Sequence, residues 1–384
     1  MSKRSNGEGS IRKRADNKWE GRYTAGYDPK TGNHIRRSVY GKTREEIVKK
    51  LREVQHHIDS GNYIEPSRIT VADWLFTWLN VYKKGQIRIS TYNVYHEAIR
   101  LHINPNIGNY QLSKIRPEHV QKMINIISNK LAPATVIKIK NILNNAFKQA
   151  VKNEMINKNI IEAVVAPKLK QREIKYLNPE DQDKFIRALK GDRLEPLFLL
   201  ALGTGMRVGE LLALTWDKVN LEEQTIKITH SLAYVKNPET NHLEFHLYDP
   251  KTPHSRRLVP LTNSVMSILR QHKKTQLAER LRYGNVYNDM GLLFCTELGG
   301  YLSPRNINRK VYKLFEKLGL PHISFHSLRH TFATRAFEND MKPKAIQEIL
   351  GHSDISTTLN TYTHLLEDTK HKEMSKLENM FSIK

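Results

Sequence analysis

Ser324-Phe325-His326-Ser327-Leu328-Arg329-His330-Thr331-Phe332-Ala333 is the stretch on which the reading of this chain turns. Leu328, Phe332 and Ala336 recur at helical spacing and form a core side. His326 and Arg329 stand three apart, so they share a different face of the same helix. His326 and His330, four apart, raise the alternative of a metal site. No acidic third ligand and no His-Glu-x-x-His pattern accompanies them, and no metal is expected.

Three further stretches gain meaning from this one. Downstream, Pro343 opens a short helix with Ile346, Ile349 and Leu350 inward, and Gly351 suits the position that ends it. His352 follows directly, and Tyr362 lies ten residues beyond. Upstream, an apolar helix ends at Gly203-Thr204-Gly205, and a second helix opens with Arg207. Glu210 lies three residues on, with Leu211 and Leu214 toward the core. The glycine turn lacks the Gly-Lys-Ser/Thr ending of a nucleotide-binding loop. In isolation, Arg207 and Glu210 read as a surface ion pair. Between these stretches, Glu244–Tyr248 and Arg256–Pro260 read as two strands joined at residues 249–255, with Lys251 projecting from the hairpin turn.

The order Arg, Lys, His-x-x-Arg, His, Tyr resembles the catalytic domain of the tyrosine recombinase, or phage-type integrase, family. Arg207, Lys251, His326, Arg329, His352 and Tyr362 are the matching residues, and the contexts Gly-x-Arg-x-x-Glu-Leu, His-x-Leu-Arg-His and Leu-Gly-His-x-x-x-x-Thr agree. The expected fold is multidomain α+β. Residues 1–64 would form a small three-stranded sheet plus helix, similar to the arm-binding domain of integrases from phages and conjugative transposons. Residues 67–165 would be an all-helical core-binding domain. Residues 177–384 would be a mixed, mainly helical catalytic domain with a small antiparallel sheet, after a basic linker at 166–176.

The chemistry implied is strand cleavage and rejoining in DNA. In-line attack on a phosphodiester gathers negative charge on the non-bridging oxygens. Two guanidiniums can fork onto them and stay charged at any working pH; the resemblance gives that role to Arg207 and Arg329. His326 and His352 would donate hydrogen bonds to the same oxygens, and His326 is also placed to take the tyrosine proton. Tyr362 would be the nucleophile, leaving a 3′-phosphotyrosine and a 5′-hydroxyl, with Lys251 the candidate acid for the leaving oxygen. Glu210 would orient Arg207. The phosphotyrosine conserves the bond energy, so no cofactor, ATP or metal is required. The resemblance also implies a homotetramer on two DNA sites with a Holliday junction intermediate, and an accessory DNA-bending or excision protein as a further partner.

Charge supports the same partner. The chain has 384 residues, with 62 Lys+Arg against 39 Asp+Glu, a net charge of +23. An excess of that size points to a polyanion, and double-stranded DNA is the commonest. Cys295, the single cysteine, excludes an intramolecular disulfide and sits in an apolar run, as a buried small hydrophobe would. With no long apolar segment, the expected location is the cytoplasm of a bacterium, on the nucleoid.

Residues 1–44 carry 12 Lys/Arg against 4 Asp/Glu. Strands are expected at Gly9–Lys13, Trp19–Tyr27 and His34–Tyr40, then a helix capped by Thr43 and Glu46 with Ile47, Leu51, Val54 and Ile58 inward. Trp19, Gly21, Tyr23 and Ala25 would share one face of the second strand. Arg12, Arg14, Arg22 and Arg36 are the DNA candidates here, with Arg22 and Arg36 on the face that would enter the major groove. Helices are expected near 71–82, at Thr91–Ile103, from Pro117 to about Ile127 and from Pro133 to Val151. Lys138 and Lys140 are the second group of DNA candidates, which read equally well as a solvated face. Met374, Leu377 and Phe381 make an apolar stripe that would pack on its own domain or on a neighbouring copy. A relaxing topoisomerase with the same chemistry and a DNA-binding regulator with a vestigial site stay open as alternatives. A membrane-surface protein is disfavoured, because no basic amphipathic helix with exposed aromatics is present.

Overall fold

A computed structural model describes residues 10–27, 31–59, 68–169, 174–250, 256–320, 323–356 and 358–359. Lys251, Tyr362 and the Met374, Leu377 and Phe381 stripe lie outside these residues. The chain forms two compact units, Met1–Lys170 and Gln171–Lys384.

The first unit opens with an antiparallel sheet in the order β1 (Ser10–Lys13), β2 (Trp19–Tyr27), β3 (His34–Gly41), followed by α1 (Arg44–Asp59). Alternation along β2 sends Trp19, Tyr23 and Ala25 toward Ile47 and Leu51 of α1, as expected. Gly21 shares that face, and its lack of a side chain is what lets the helix lie down. A Cβ there would meet Ile47 at 2.6 Å and Leu51 at 2.8 Å. At the helix start, Thr43 Oγ1 accepts from the Glu46 amide, while Glu46 reaches back to the amide of Lys42 instead of Thr43.

A helical bundle follows: α2 (Val71–Thr77), α3 (Ile89–Ala98), α4 (Asn104–Ile107), α5 (Pro117–Ser128) and α6 (Pro133–Lys152). A capping box between Thr70 and Asp73 starts α2. Wider π-type turns extend α2 through Lys83 and α3 through Ile103. The helix expected to end at Ile103 runs on instead. The backbone stays helical to Ile107, because Pro105 occupies a first-turn position where its missing N–H costs nothing. Trp78, Ile103, Val120, Leu143 and Phe147 fill the core. Trp74 donates its indole N–H to the Ala146 carbonyl at 3.0 Å, tying α2 to α6.

The second unit comprises α7 (Pro179–Leu189), α8 (Glu195–Thr204), α9 (Val208–Leu212), β4 (Val219–Asn220), β5 (Thr225–Ile228), β6 (Ser231–Lys236), β7 (Leu243–Tyr248), β8 (Arg257–Pro260), α10 (Asn263–Tyr283), α11 (Pro304–Lys317), α12 (Phe325–Glu338) and α13 (Pro343–Leu350). Its core runs from Phe185 and Phe198 through Leu211, Val259 and Phe315 to Leu328. One expectation is overturned here. The strands on either side of Lys251 do not pair with each other: β7 pairs with β6, and β8 pairs with β5 beside β4. The cause is a local turn at 237–242. Asn237 Oδ1 accepts from the Glu239 amide and Asn241 adopts φ 63°, which closes β6 onto β7 as a local hairpin. No helix among the described residues is long and apolar enough to cross a membrane.

Gly21→Ala should destabilise the N-terminal sheet and helix by about 1–3 kcal/mol through overpacking. Hydrogen exchange should quicken across residues 10–59 and stay unchanged across 68–169. Uniform exchange in both segments would show that α1 does not depend on that contact.

Candidate active site and basic sheet face

The apolar run of α8 ends at Gly205, which adopts φ +62°. That conformation favours glycine, and a side chain would also strike Leu350 at 2.6 Å and Phe332 at 2.7 Å. The turn brings α8, α12 and α13 together and delivers Arg207 as the N-cap residue of α9. Glu210 then accepts from the Arg207 backbone amide at 3.1 Å and from its guanidinium at 2.8 Å.

This is not the surface pair that local sequence suggests. The Glu210 side chain is 7% exposed, against 40% for Arg207. Arg257, at the start of β8 and itself 6% exposed, approaches the same carboxylate from the other side, at 2.9 Å to Oε2. Burial pushes the Glu210 carboxyl up, but the Arg257 and Arg207 guanidiniums outweigh it and hold the group below the usual carboxylate range. Sequence reasoning missed Arg257. The signal was the period-two alternation of β8, which turns Arg257 and Val259 inward and leaves Leu258 exposed.

Arg329 of α12 is almost wholly buried. It donates to the Gly205 carbonyl at 2.9 Å and to the Leu350 carbonyl at 2.8 Å. Both belong to C-terminal ends of helices, where carbonyls lack intrahelical partners and the dipole is negative, so a cation is stabilised there. One side chain therefore fixes the segment before Arg207 and the segment before His352. Gly351, at φ +66°, ends α13 as expected. The His352 ring Nδ1 lies 2.8 Å from the hydroxyl of Thr358, a buried residue that the sequence reading passed over.

Three histidines gather on this cation-rich surface. His326 and His330 meet edge to face, 4.7 Å between ring centres. Burial, then the charges of Arg329 and Arg207, lower the pKa of His326. Burial and its neighbours His326 and Arg329 lower that of His330 to about 4. Burial, then Arg329, Arg207 and Arg257, lower that of His352 to about 3. Near neutrality these rings are uncharged, so each has one nitrogen that donates and one that accepts. The arrangement thus offers fixed positive charge from arginine beside neutral imidazoles able to accept a proton. Among the described residues, no group of three His, Cys, Asp or Glu side chains could hold a metal ion.

On the N-terminal sheet, the strand register places Arg12, Glu20 and Tyr40 in one row, Arg22 beside Ser38 in the next, and Arg36 beside Thr24 beyond. All lie on the face opposite α1. Glu20 sits at the centre, 4% exposed, and accepts from Arg12 at 2.6 Å, Ser38 at 2.8 Å and Arg22 at 3.2 Å. Bonds from Arg12 and Ser38 lead in bringing its pKa down to about 2. Arg14 lies over the Tyr40 ring, 5.3 Å from its centre. Lys138 and Lys140 do not share a face, being two residues apart on α6. Lys138 is exposed in a groove with Ser90, Thr91 and Tyr95, while Lys140 is half-buried.

Residues 167–369 match the family described as "Phage integrase family" and residues 70–128 match "Phage integrase, N-terminal SAM-like domain". A "Tyrosine recombinase XerC-like" protein of Caldanaerobacter subterraneus subsp. tengcongensis is 32% identical over 372 residues, 93% of this chain and 95% of that protein. Among solved structures, the Tn1549 transposon integrase in complex with circular intermediate DNA is similar with a TM-score of 0.65 at 22% identity, over 80% of this chain and 99% of that one. A lambda integrase tetramer bound to a Holliday junction is similar with a TM-score of 0.55 at 21% identity, over 90% and 95% of the respective chains.

The histidines carry a stability signature. An unfolded histidine titrates at 6.5, while His330 and His352 stay neutral in the fold to about 4 and about 3. Their depressed values contribute stability that is complete above pH 6.5 and is lost as pH falls toward those folded values. Thermal melting from about pH 8 to about pH 5 should show a midpoint that falls once pH drops below the unfolded histidine value, and His330→Asn should flatten the fall. A midpoint indifferent to pH would mean the rings titrate alike in both states.

Proposed function

The chain belongs to the phage integrase family, and from that premise we propose how its own residues carry out the reaction. It is a site-specific DNA recombinase of the tyrosine type, which cleaves and rejoins DNA to integrate and excise a mobile element. The proposal assigns the chemistry to Arg207, Lys251, His326, Arg329, His352 and Tyr362. The observation that carries it is convergence: Arg329 holds the carbonyls two residues before Arg207 and two before His352.

The Tyr362 phenol attacks the scissile phosphorus in line, and the bond to the 5′-oxygen breaks. A free phenol has a pKa of ~10 and is a poor nucleophile near neutrality. Nearby arginine charge lowers the cost of the phenolate, and neutral His326 accepts the proton. Arg207 and Arg329 stabilise charge on the non-bridging oxygens, with His352 donating to the same group. Lys251 protonates the departing 5′-oxygen. A 5′-hydroxyl from a second DNA then attacks the 3′-phosphotyrosine and releases Tyr362.

Three domains divide the work. Residues 1–64 bind arm sites through Arg12, Arg14, Arg22 and Arg36, while residues 67–165, with Lys138 and Lys140, and residues 177–384 clamp the core site. Arm and core binding on one chain raises effective concentration and bridges two DNA segments. The active assembly is a homotetramer on DNA, served by an accessory bending or excision protein. The lambda integrase tetramer on a Holliday junction supports that assembly.

Mixed in EDTA with nicked DNA from the flank of its gene, the protein should form a slow-migrating covalent band on a denaturing gel. Tyr362→Phe should abolish it, and Arg207→Ala should slow its appearance ~100–1000-fold. A band that survives Tyr362→Phe would remove the tyrosine from this role. For the arm domain, Arg22→Ala and Arg36→Ala should each reduce the salt dependence of arm-site binding by ~1 released counterion and leave core-site binding as it was. Unchanged slopes would place the DNA elsewhere than on this face.

A further inference from the structure

We infer that Arg257 is a positioning residue for strand cleavage, the buried link that holds Arg207 and His352 in one rigid arrangement. The inference rests on the assignment of Arg207, His352 and Tyr362 proposed above.

Arg257 spans two parts of the site at once. Its two terminal nitrogens fork onto Glu210, at 2.9 Å to Oε2 and 3.3 Å to Oε1. Its Nε donates to the Ile349 carbonyl at 2.5 Å, three residues before His352. These partners stand 47 and 92 residues away in the chain. Gly351 completes the fit, since a side chain there would come within 2.8 Å of Arg257 Nη1 and 3.0 Å of its Cδ.

Glu210 by itself would orient Arg207 poorly. With 40% of its side chain exposed, Arg207 could draw a lone carboxylate toward water and leave the pair mobile. Arg257 pins both carboxylate oxygens from the interior, so Arg207 meets a fixed acceptor and its outer N–H groups keep one direction. Its planar fork does this while also reaching α13. Lysine, a point charge on a flexible stem, cannot satisfy acceptors on two elements in the same way. Misaiming Arg207 or His352 by a fraction of an ångström weakens transition-state stabilisation without altering grip on the DNA.

The experiment uses the full chain and nicked DNA in two forms: the natural scissile phosphate, and an uncharged methylphosphonate at that one position. A neutral phosphate has less charge for Arg207 to stabilise, so defects that act through Arg207 shrink on it. Arg257→Lys should retain DNA affinity and slow cleavage of the natural substrate ~100-fold, a size set by loss of one well-aimed donor. On the methylphosphonate the deficit should fall to ~10-fold or less, as it should for Arg207→Ala. In the double variant with Arg207→Ala, the further slowing caused by Arg257→Lys should shrink to ~10-fold or less, the share that acts through His352. Wild-type rates in Arg257→Lys, or equal deficits on both substrates, would overturn the inference. Arg257→Gln, which keeps an amide donor for the Ile349 carbonyl, serves as the second variant. Loss of the folded state by both, read by circular dichroism, would make Arg257 purely structural and overturn the inference as well. If Tyr362→Phe still forms the covalent band, the site assignment fails instead, whatever Arg257 does.

Discussion

Arg329 reaching the carbonyls of Gly205 and Leu350 is the constraint on which the catalytic unit depends. Helices α8 and α13 both end at left-handed glycines, and each end leaves carbonyls without partners. Burying a guanidinium is costly unless its donors are met. Two helix ends with unmet acceptors and a negative dipole are the complement of a buried arginine. The same contacts aim the residues that follow those glycines, Arg207 on one side and His352 on the other. The packing of two helix ends and the aim of both following residues are thus joined in one side chain.

A second constraint is electrostatic. Arg207 and Arg257 stand around a single buried carboxylate, Glu210, in a unit that also holds the buried Arg329 and three partly buried histidines. Positive charge beside an imidazole, together with desolvation, keeps the ring neutral. A site with excess positive charge is therefore built from groups of two kinds. The arginines stay charged because they cannot lose a proton, and the histidines stay uncharged first because they are partly desolvated and then because the arginines are there. An anionic phosphate would relieve that excess, and the preorganised donors need no rearrangement when charge develops on it.

The N-terminal sheet uses a related device. Glu20 is buried beneath the arginines of an otherwise basic face and holds Arg12 and Arg22 in place with Ser38. In both places a carboxylate in a strongly basic chain gives direction to flexible cations, reducing the conformational freedom they would lose on meeting a ligand. The difference lies in depth. Glu210 is enclosed by two elements and a second guanidinium, whereas the Glu20 partners are about half exposed.

Much was legible from residue order. The period-two pattern around Trp19, Gly21 and Tyr23 placed the sheet on its helix, and helical spacing located the bundle. The ordered set from Arg207 to Tyr362 identified the chemistry, because those residues fall in motifs a few positions long. Local pattern failed where partners are distant. It paired the strands flanking Lys251 with each other, since nothing in the sequence says that β6 will claim β7 and β5 will claim β8. It read Arg207 and Glu210 as a surface pair, because burial of Glu210 is imposed by Arg257 from another element. It passed over Thr358, and it passed over Arg257, whose role exists only once β8 and α13 lie side by side. The sequence by itself determined the family and which faces turn inward, since both follow from residue type, order and periodicity. Only the tertiary structure decided which buried charges meet, because that depends on contacts between segments the chain brings together by folding.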